Sequence, residues 1–480
     1  MQIIPSGELA IDRKERSYTP GPGLQTRPPA ERVRDFEEAV IPLTPEQARR
    51  EAARCVHCPD PAPCMLACPA HNDIPSALWL IEQGHFLEAA QVYRRTSSLP
   101  EICSRVCPQT QLCQGSCSAS KAQVAVLCGA LEAFVTTYER QTRGVSIPVG
   151  PPTGKRVAIV GAGPAGLGCA EQLVQYGHAV TIFDAKPAPG GLLVYGIPNF
   201  KLPRRIFFER WADFERAGVR FVGNTTIGKD KTVDDLFREG FEAVFIGVGV
   251  GVDASLNIPG EDLPGVYDAT EFLMRANTDP SLLPEDKRAP LTVGRRVVVI
   301  GGGDTASDCL RTALRLGAEE VICLYRRSEK EMPGNKKDRQ MAKEEGAQFR
   351  FLVQPVRFIA GEDGHLAAVE CVEMRLGEPD SSGRRKPVPV EGSHFSVAAD
   401  MAIKAVGYWP DPLLGETTSG LETHAGGLIR VVDKETGQTT RPGVFAGGDV
   451  VTGPDLVVTA MVAGRKAAAA IHAYLSARGE

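Results

Sequence analysis

The sequence contains no apolar run that approaches the ~18 residues needed to cross a bilayer, and no block of Lys and Arg that would draw a phosphate backbone or an anionic lipid surface. The formal net charge of −5 adds no global attraction to either, so neither nucleic acid nor membrane is an expected partner. The opening stretch MQIIPSGELAIDRKERSYTP lacks the basic segment, apolar core and small-residue cleavage site of a secretory signal, which places the expected protein in the cytoplasm. Thirteen cysteines are few for a disulfide scaffold spread over 480 residues.

What is present is unevenly distributed. Eight of the cysteines fall between Cys55 and Cys117, and five are scattered. In a reducing compartment such crowding points to metal rather than to disulfides. A chain of 480 residues is too long for one core and suits about three domains of ~150 residues each.

Residues 1–43 are rich in Pro, Gly and charge and read as an extended arm that would be ordered only by docking. Residues 44–146 read as a helical domain, opened by Thr44 as a cap and Pro45 at the first helical position. Helices are expected around Ile74–Gln83, Phe86–Arg95 and Val124–Glu139, with the cysteines in the turns between them.

After the linker IPVGPPTGK the texture changes to strand, turn and helix in alternation. RVAIVGAGPAG and RRVVVIGGGDTA are two copies of one signal, and strand material then runs on to GVFAGGD. The expected α/β architecture has one Rossmann-like domain inserted in another: 153–290 and 406–480 form the outer domain, and 291–405 the inner one.

In the first copy Gly161-x-Gly163-x-x-Gly166 follows the apolar strand Val157–Val160 and opens a helix. These glycines permit the tight turn and the close approach of a pyrophosphate to backbone N–H groups at a helix N-terminus. The next strand ends in Asp184, whose carboxylate can accept from ribose hydroxyls, and Gly190, Gly191 and Leu192 let backbone approach the same ligand. Near the C-terminus Asp449 follows a strand at a Gly turn, before a helix rich in small residues that starts at Thr459. A carboxylate there can hold ribityl hydroxyls, so these residues together form the expected FAD site.

The second copy reads Gly301-x-Gly303-x-x-Ala306, with Asp304 and Thr305 inside the turn. Its following strand ends in Arg326 and Arg327 instead of an acid. Guanidinium groups bind a 2′-phosphate that a carboxylate would repel, so this site is expected to take NADPH.

The cysteines run Cys55-x2-Cys58-x5-Cys64-x3-Cys68-Pro69 and then Cys103-x3-Cys107-Pro108-x5-Cys113-x3-Cys117. Closely spaced thiolates ending in Cys-Pro suit ferredoxin-type 4Fe–4S ligation. A structural zinc site is the competing reading of Cys-x2-Cys. His57 and His71 lie close to these cysteines and could in principle ligate metal, but read as solvent-facing or packing residues.

LPEICSRVCPQTQLCQGSC, VAIVGAGPAGLGCA, GGLLVYGIPNFKL, VVVIGGGDTASDC, YRRSEKEMPG, GEPDSSGRR and VFAGGDVVTGPDLVVTA together resemble the small (beta) subunit of bacterial NADPH-dependent glutamate synthase. The resemblance implies FAD in the discontinuous domain, NADPH in the inserted one and two 4Fe–4S clusters among the N-terminal helices. It implies Cys55, Cys58, Cys64 and Cys117 as ligands of one cluster, and Cys68, Cys107, Cys113 and Glu132 as ligands of the other, with Cys103 as an alternative to Glu132. It also implies an FMN-carrying large (alpha) subunit as partner, where 2-oxoglutarate and glutamine-derived ammonia become glutamate. The NADPH-oxidising subunits of a transhydrogenase, a sulfide dehydrogenase or a dihydropyrimidine dehydrogenase share this domain order, and a non-turnover redox sensor is the reading from another class.

Overall fold

The computed structural model describes residues 2–5, 7, 9–380 and 383–477. Ser381 and Ser382 of the GEPDSSGRR turn lie outside the described residues.

Helix Pro45–Ala52 starts as the sequence predicts: Thr44 accepts from the Gln47 amide, and the Gln47 side chain accepts from the Thr44 amide in return. Helix Ile74–Gln83 is opened by Asp73, which accepts from the Ser76 amide, and is closed by Gly84 in the left-handed conformation at φ 86°. Helices Phe86–Arg94 and Cys128–Thr142 pack with these through Leu78, Ile81, Phe134 and Val135, all buried. The cysteines are not confined to turns. Cys64 lies in helix Pro63–Ala67 and Cys103 in helix Pro100–Val106, because a proline at the first turn starts a short helix in each place.

The arm is not simply extended. It carries the short helices Arg13–Tyr18 and Pro29–Arg32 and is fastened along its length. The Gln2 side chain donates to the carbonyl of Cys58 at 2.9 Å, and Arg16 donates to the carbonyl of Cys55 at 3.1 Å and to Glu82 at 2.8 Å.

The first nucleotide sheet has seven strands. Its parallel portion runs, in spatial order, Val444–Ala446, Ala243–Ile246, Arg156–Val160, Ala179–Phe183 and Arg220–Val222. The register of Val444 with Val244 and Ala446 with Ile246 completes this sheet with C-terminal chain. Helix Val457–Ser476 crosses helix Pro164–Gln175 at glycines: a Cβ on Gly464 would meet the Ala165 carbonyl oxygen at 1.9 Å, and one on Gly168 the Met461 oxygen at 2.3 Å. That contact draws the Asp449 segment onto the first glycine turn.

The second sheet is fully parallel in the order Val266–Asp268, Met401–Lys404, Arg296–Ile300, Glu320–Tyr325 and Gln348–Phe351. Its edge strand therefore begins before residue 291, and the expected junction at 290/291 falls inside one sheet. The chain crosses between the nucleotide sheets at Val252–Asp253 and Tyr408–Trp409, which pair antiparallel. A separate antiparallel unit of four strands, Val353–Ala360, Leu366–Pro379, Arg385–Pro389 and Phe395–Ala398, is inserted between strands Gln348–Phe351 and Met401–Lys404 of the second sheet. Among the described residues no helix is long and apolar enough to cross a membrane.

Candidate functional site

At the carboxyl edge of the first sheet, three neighbouring strands end in glycine. Gly161 (φ 104°) sits so close to Gly247 that a Cβ would meet its carbonyl oxygen at 2.6 Å, while Gly447 donates to the Ile246 carbonyl at 3.1 Å. This is the crevice in which open α/β sheets hold ligands. Gly163 caps helix Pro164–Gln175 with open space where a Cβ would be, and a Cβ on Gly191 (φ 51°) would come within 3.0 Å of the Gly163 Cα. Gly166 lies against the Gly161 carbonyl, and Leu192 opens the short helix Leu192–Tyr195. These bare backbones fit a pyrophosphate on the helix N-terminus.

Asp184 braces the turn itself. Its Oδ2 accepts from the Ala162 amide at 2.7 Å and its Oδ1 from the Lys186 amide at 2.8 Å, and each oxygen keeps a second lone pair for a ribose hydroxyl. Burial nevertheless pushes its carboxyl up from the ordinary value. Asp449 follows Gly448 (φ 77°), and burial together with the nearby Asp455 charge pushes it up to about 6. The Thr459 hydroxyl is already engaged as a helix cap, donating to the Leu456 carbonyl at 2.7 Å and accepting from the Leu456 amide at 3.1 Å.

The second turn repeats the design. Gly301 (φ 147°) packs against the Ala405 carbonyl, Gly303 caps helix Asp304–Arg315, and Ala306 is buried. Asp304 accepts from the Asn335 amide at 2.6 Å, and the Thr305 hydroxyl accepts from Tyr408 at 3.1 Å. Gly334 donates to the Gly302 carbonyl at 3.1 Å, so the Met332–Asn335 loop borders the turn. The two arginines part company. Arg326 is exposed and makes no hydrogen bond or ion pair among the described residues, whereas Arg327 is buried, donating to Asp380 at 2.6 Å and to the Arg385 carbonyl at 2.9 Å.

In the helical domain the cysteines divide between two adjoining cavities. Cys55, Cys58, Cys64 and Cys117 line one. Cys68, Cys107, Cys113, Cys103 and Glu132 line the other, which is also bounded by Val458 from the C-terminal helix. All thirteen thiols are free. Burial pushes Cys55 and Cys68 up to about 12 and raises Cys64 further, so each would have to give up its proton to serve as a metal ligand. Glu132 is buried, its Oε1 has no hydrogen-bond partner among the described residues, and burial and the neighbouring cysteines raise its carboxyl well above the ordinary range. A cavity lined by Cys55, Cys58, Cys64 and Cys117, beside one lined by Cys68, Cys103, Cys107, Cys113 and the orphaned carboxyl of Glu132, offers a donor set that fits iron–sulfur ligation.

Sequence reasoning missed Cys128. It opens the helix that carries Glu132 one turn later and lines both cavities, and its thiol beside Cys113 holds the Cys113 thiol below its usual value. The four-residue spacing to Glu132 was the available signal. His57 is buried edge-on to Trp79 with ring centroids 5.4 Å apart, a packing position.

The family described as "Pyridine nucleotide-disulphide oxidoreductase" matches residues 155–464, and "Dihydroprymidine dehydrogenase domain II, 4Fe-4S cluster" matches residues 32–144. The chain is 44% identical over 457 residues to the glutamate synthase [NADPH] small chain of Halomonas elongata, covering 94% of this chain and 96% of that one. It is 39% identical to the NADP(+)-dependent formate dehydrogenase subunit beta of Moorella thermoacetica, over 86% of this chain and 60% of that one. Among solved structures, Mycobacterium tuberculosis FprA in complex with NADPH superposes with a TM-score of 0.56 at 22% identity, covering 68% of this chain and 85% of that one, a likeness of fold. The nucleotide-binding sheets carry FAD and NADPH and the helical domain is a 4Fe–4S domain: the chain belongs to the pyridine nucleotide-disulphide oxidoreductases, among the FAD and iron–sulfur oxidoreductases that include the glutamate synthase small chains.

Proposed function

We propose that the chain is the electron-input subunit of a larger enzyme, oxidising NADPH and delivering electrons through two 4Fe–4S clusters to the FMN-carrying large subunit of glutamate synthase. When bound, FAD takes a hydride from NADPH and the clusters carry single electrons. Gly161, Gly163, Gly166 and Gly191 hold the FAD pyrophosphate, Asp184 its ribose, and Asp449 the ribityl chain. Gly301, Gly303 and Ala306 form the NADPH turn, and Arg326 offers a guanidinium to the 2′-phosphate. Cys55, Cys58, Cys64 and Cys117 hold one cluster; Cys68, Cys107, Cys113 and Glu132 hold the other. No side chain is needed as a general acid or base.

The observation that carries this reading is the pair of adjoining thiol-lined cavities, with the nearer one walled by Val458 of the helix that packs on the flavin turn. Anaerobic purification with iron, sulfide and flavin analysis tests it: about eight iron and one FAD per chain are expected, and about four iron would break the two-cluster assignment.

The likeness to a formate dehydrogenase subunit favours a second reading, in which the same module serves another acceptor subunit. Co-purification of the native complex distinguishes the two.

A further inference from the structure

The two nucleotide sheets are joined covalently by two crossing segments, which meet as the paired strands Val252–Asp253 and Tyr408–Trp409 and through the Ala254 amide donating to the Gly407 carbonyl at 2.9 Å. Gly249 (φ 71°) and Gly407 (φ 120°) flank this pair, and nothing lies within 4 Å of where a Cβ would stand on either. Backbone of this kind absorbs rotation readily, as hinge segments do. The relative placement of the sheets, and hence of nicotinamide and flavin, then depends on non-covalent ties.

The N-terminal arm supplies one. Arg32, whose side chain is 1% exposed, donates from Nε to Glu345 at 2.7 Å and from Nη2 to Glu344 at 2.6 Å, both on helix Lys336–Glu345 of the second nucleotide domain. A few residues on, the same arm is fastened to the first nucleotide domain. Ala39 donates to the Phe200 carbonyl at 3.1 Å, the Phe36 carbonyl accepts from Asn199 at 3.1 Å, and the rings of Phe36 and Phe200 are 6.3 Å apart. Phe200 in turn lies under Arg311 and Arg315, with guanidinium carbons 4.4 and 4.0 Å from its centroid. Both arginines also bind Glu345, at 2.9 and 2.6 Å.

Next to this strap, Lys201 reaches across to Asp308 at 2.9 Å and to Asp338 at 3.1 Å. The Asn199–Lys201 loop it anchors follows shortly after Gly190 and Gly191 of the flavin crevice.

We propose that Arg32 is a positioning residue for hydride transfer: by pinning the arm to Glu345 while Phe36 and Ala39 pin it to the Asn199–Lys201 loop, it holds the NADPH-binding sheet in register with the flavin-binding sheet. Orientation of this kind governs rate more than affinity, since a displacement of the reacting atoms by about 1 Å can cost two orders of magnitude. Arg32 suits a test because Glu345 keeps Arg311 and Arg315 when Arg32 is removed, so no carboxylate is left buried without a partner.

The experiment is anaerobic stopped-flow flavin bleaching by NADPH in Arg32→Ala, at matched FAD and iron content, with hydrogen exchange of residues 247–254 and 404–409 alongside. The expected result is a fall in the limiting rate of about tenfold or more, a half-saturating NADPH concentration within about threefold of the parent, and faster exchange in the crossing segments. A limiting rate equal to that of the parent overturns the proposal, as does an effect confined to half-saturation. Should Arg32→Ala lose flavin or fail to fold, Phe36→Ala loosens the same strap at its other end without touching an ion pair. It is read by the same criteria.

Discussion

Arg327, itself buried, forms an ion pair with the half-buried Asp380 at 2.6 Å, with the Arg327 Nε also donating to the Arg385 carbonyl. The pair ties the end of strand Glu320–Tyr325 to the antiparallel unit, and it divides the labour between two arginines that are adjacent in sequence.

Arg326 is then the guanidinium available to a 2′-phosphate. Arg326→Gln is expected to raise the KM for NADPH about tenfold or more while leaving that for NADH nearly unchanged, because one charge-assisted phosphate contact is worth ~1.5–3 kcal/mol. Arg327→Gln is expected instead to lower the thermal midpoint, since it removes the buried guanidinium's hydrogen bonds to Asp380 and to the Arg385 carbonyl. Steady-state kinetics with both nucleotides, beside a melting curve, decide the matter; equal KM effects from both variants would contradict the division.

Asp449 gives the flavin-free protein a pH dependence of definite sign. Its carboxyl is raised from 3.8 to about 6 in the folded chain, so the folded state binds more protons than the unfolded one between those values, and stability falls as pH rises through that window. Asp449→Asn removes the penalty. The flavin-free variant is expected to melt higher than its parent at pH 8, with the gap closing toward pH 4, and to bind FAD more weakly; a gap independent of pH would contradict the assignment.

Glu132 and Cys128 lie one helical turn apart and are expected to behave differently. Glu132→Ala should reduce iron from about eight to about four per chain, because on the proposed assignment it removes a ligand. Cys128→Ala should leave iron unchanged but lower the midpoint potential of the cluster proposed at Cys113, because a thiol beside a ligand sulfur can donate to it and stabilise the reduced, more negative form. Potentiometric EPR separates the cases. Iron loss in Cys128→Ala would make Cys128 a ligand, and an unshifted potential would leave it a packing residue.

Much of this was legible in the sequence because the signals are local. Each glycine turn lies between an apolar strand and a helix, and the completion of the first sheet by Val444–Ala446 was foreshadowed by the Gly turn at Asp449. The start of the second sheet was not, since Val266–Asp268 is a three-residue edge strand of intermediate burial, too short to show a period. Cys128 stands outside the Cys-Pro spacing and meets Cys113 only when its helix packs. The arm offered least: Arg32 and Glu345 are 313 positions apart, and no local pattern announces such a pair.

The central claim, that electrons enter at NADPH and leave through the clusters to a large subunit, is tested most directly by assaying glutamate formation anaerobically from NADPH, glutamine and 2-oxoglutarate. The cluster-loaded chain is assayed alone and then with a glutamate synthase large subunit. The account predicts flavin bleaching in both mixtures and glutamate only in the second. Glutamate from the chain alone would contradict it, as would bleaching without glutamate when the large subunit is present.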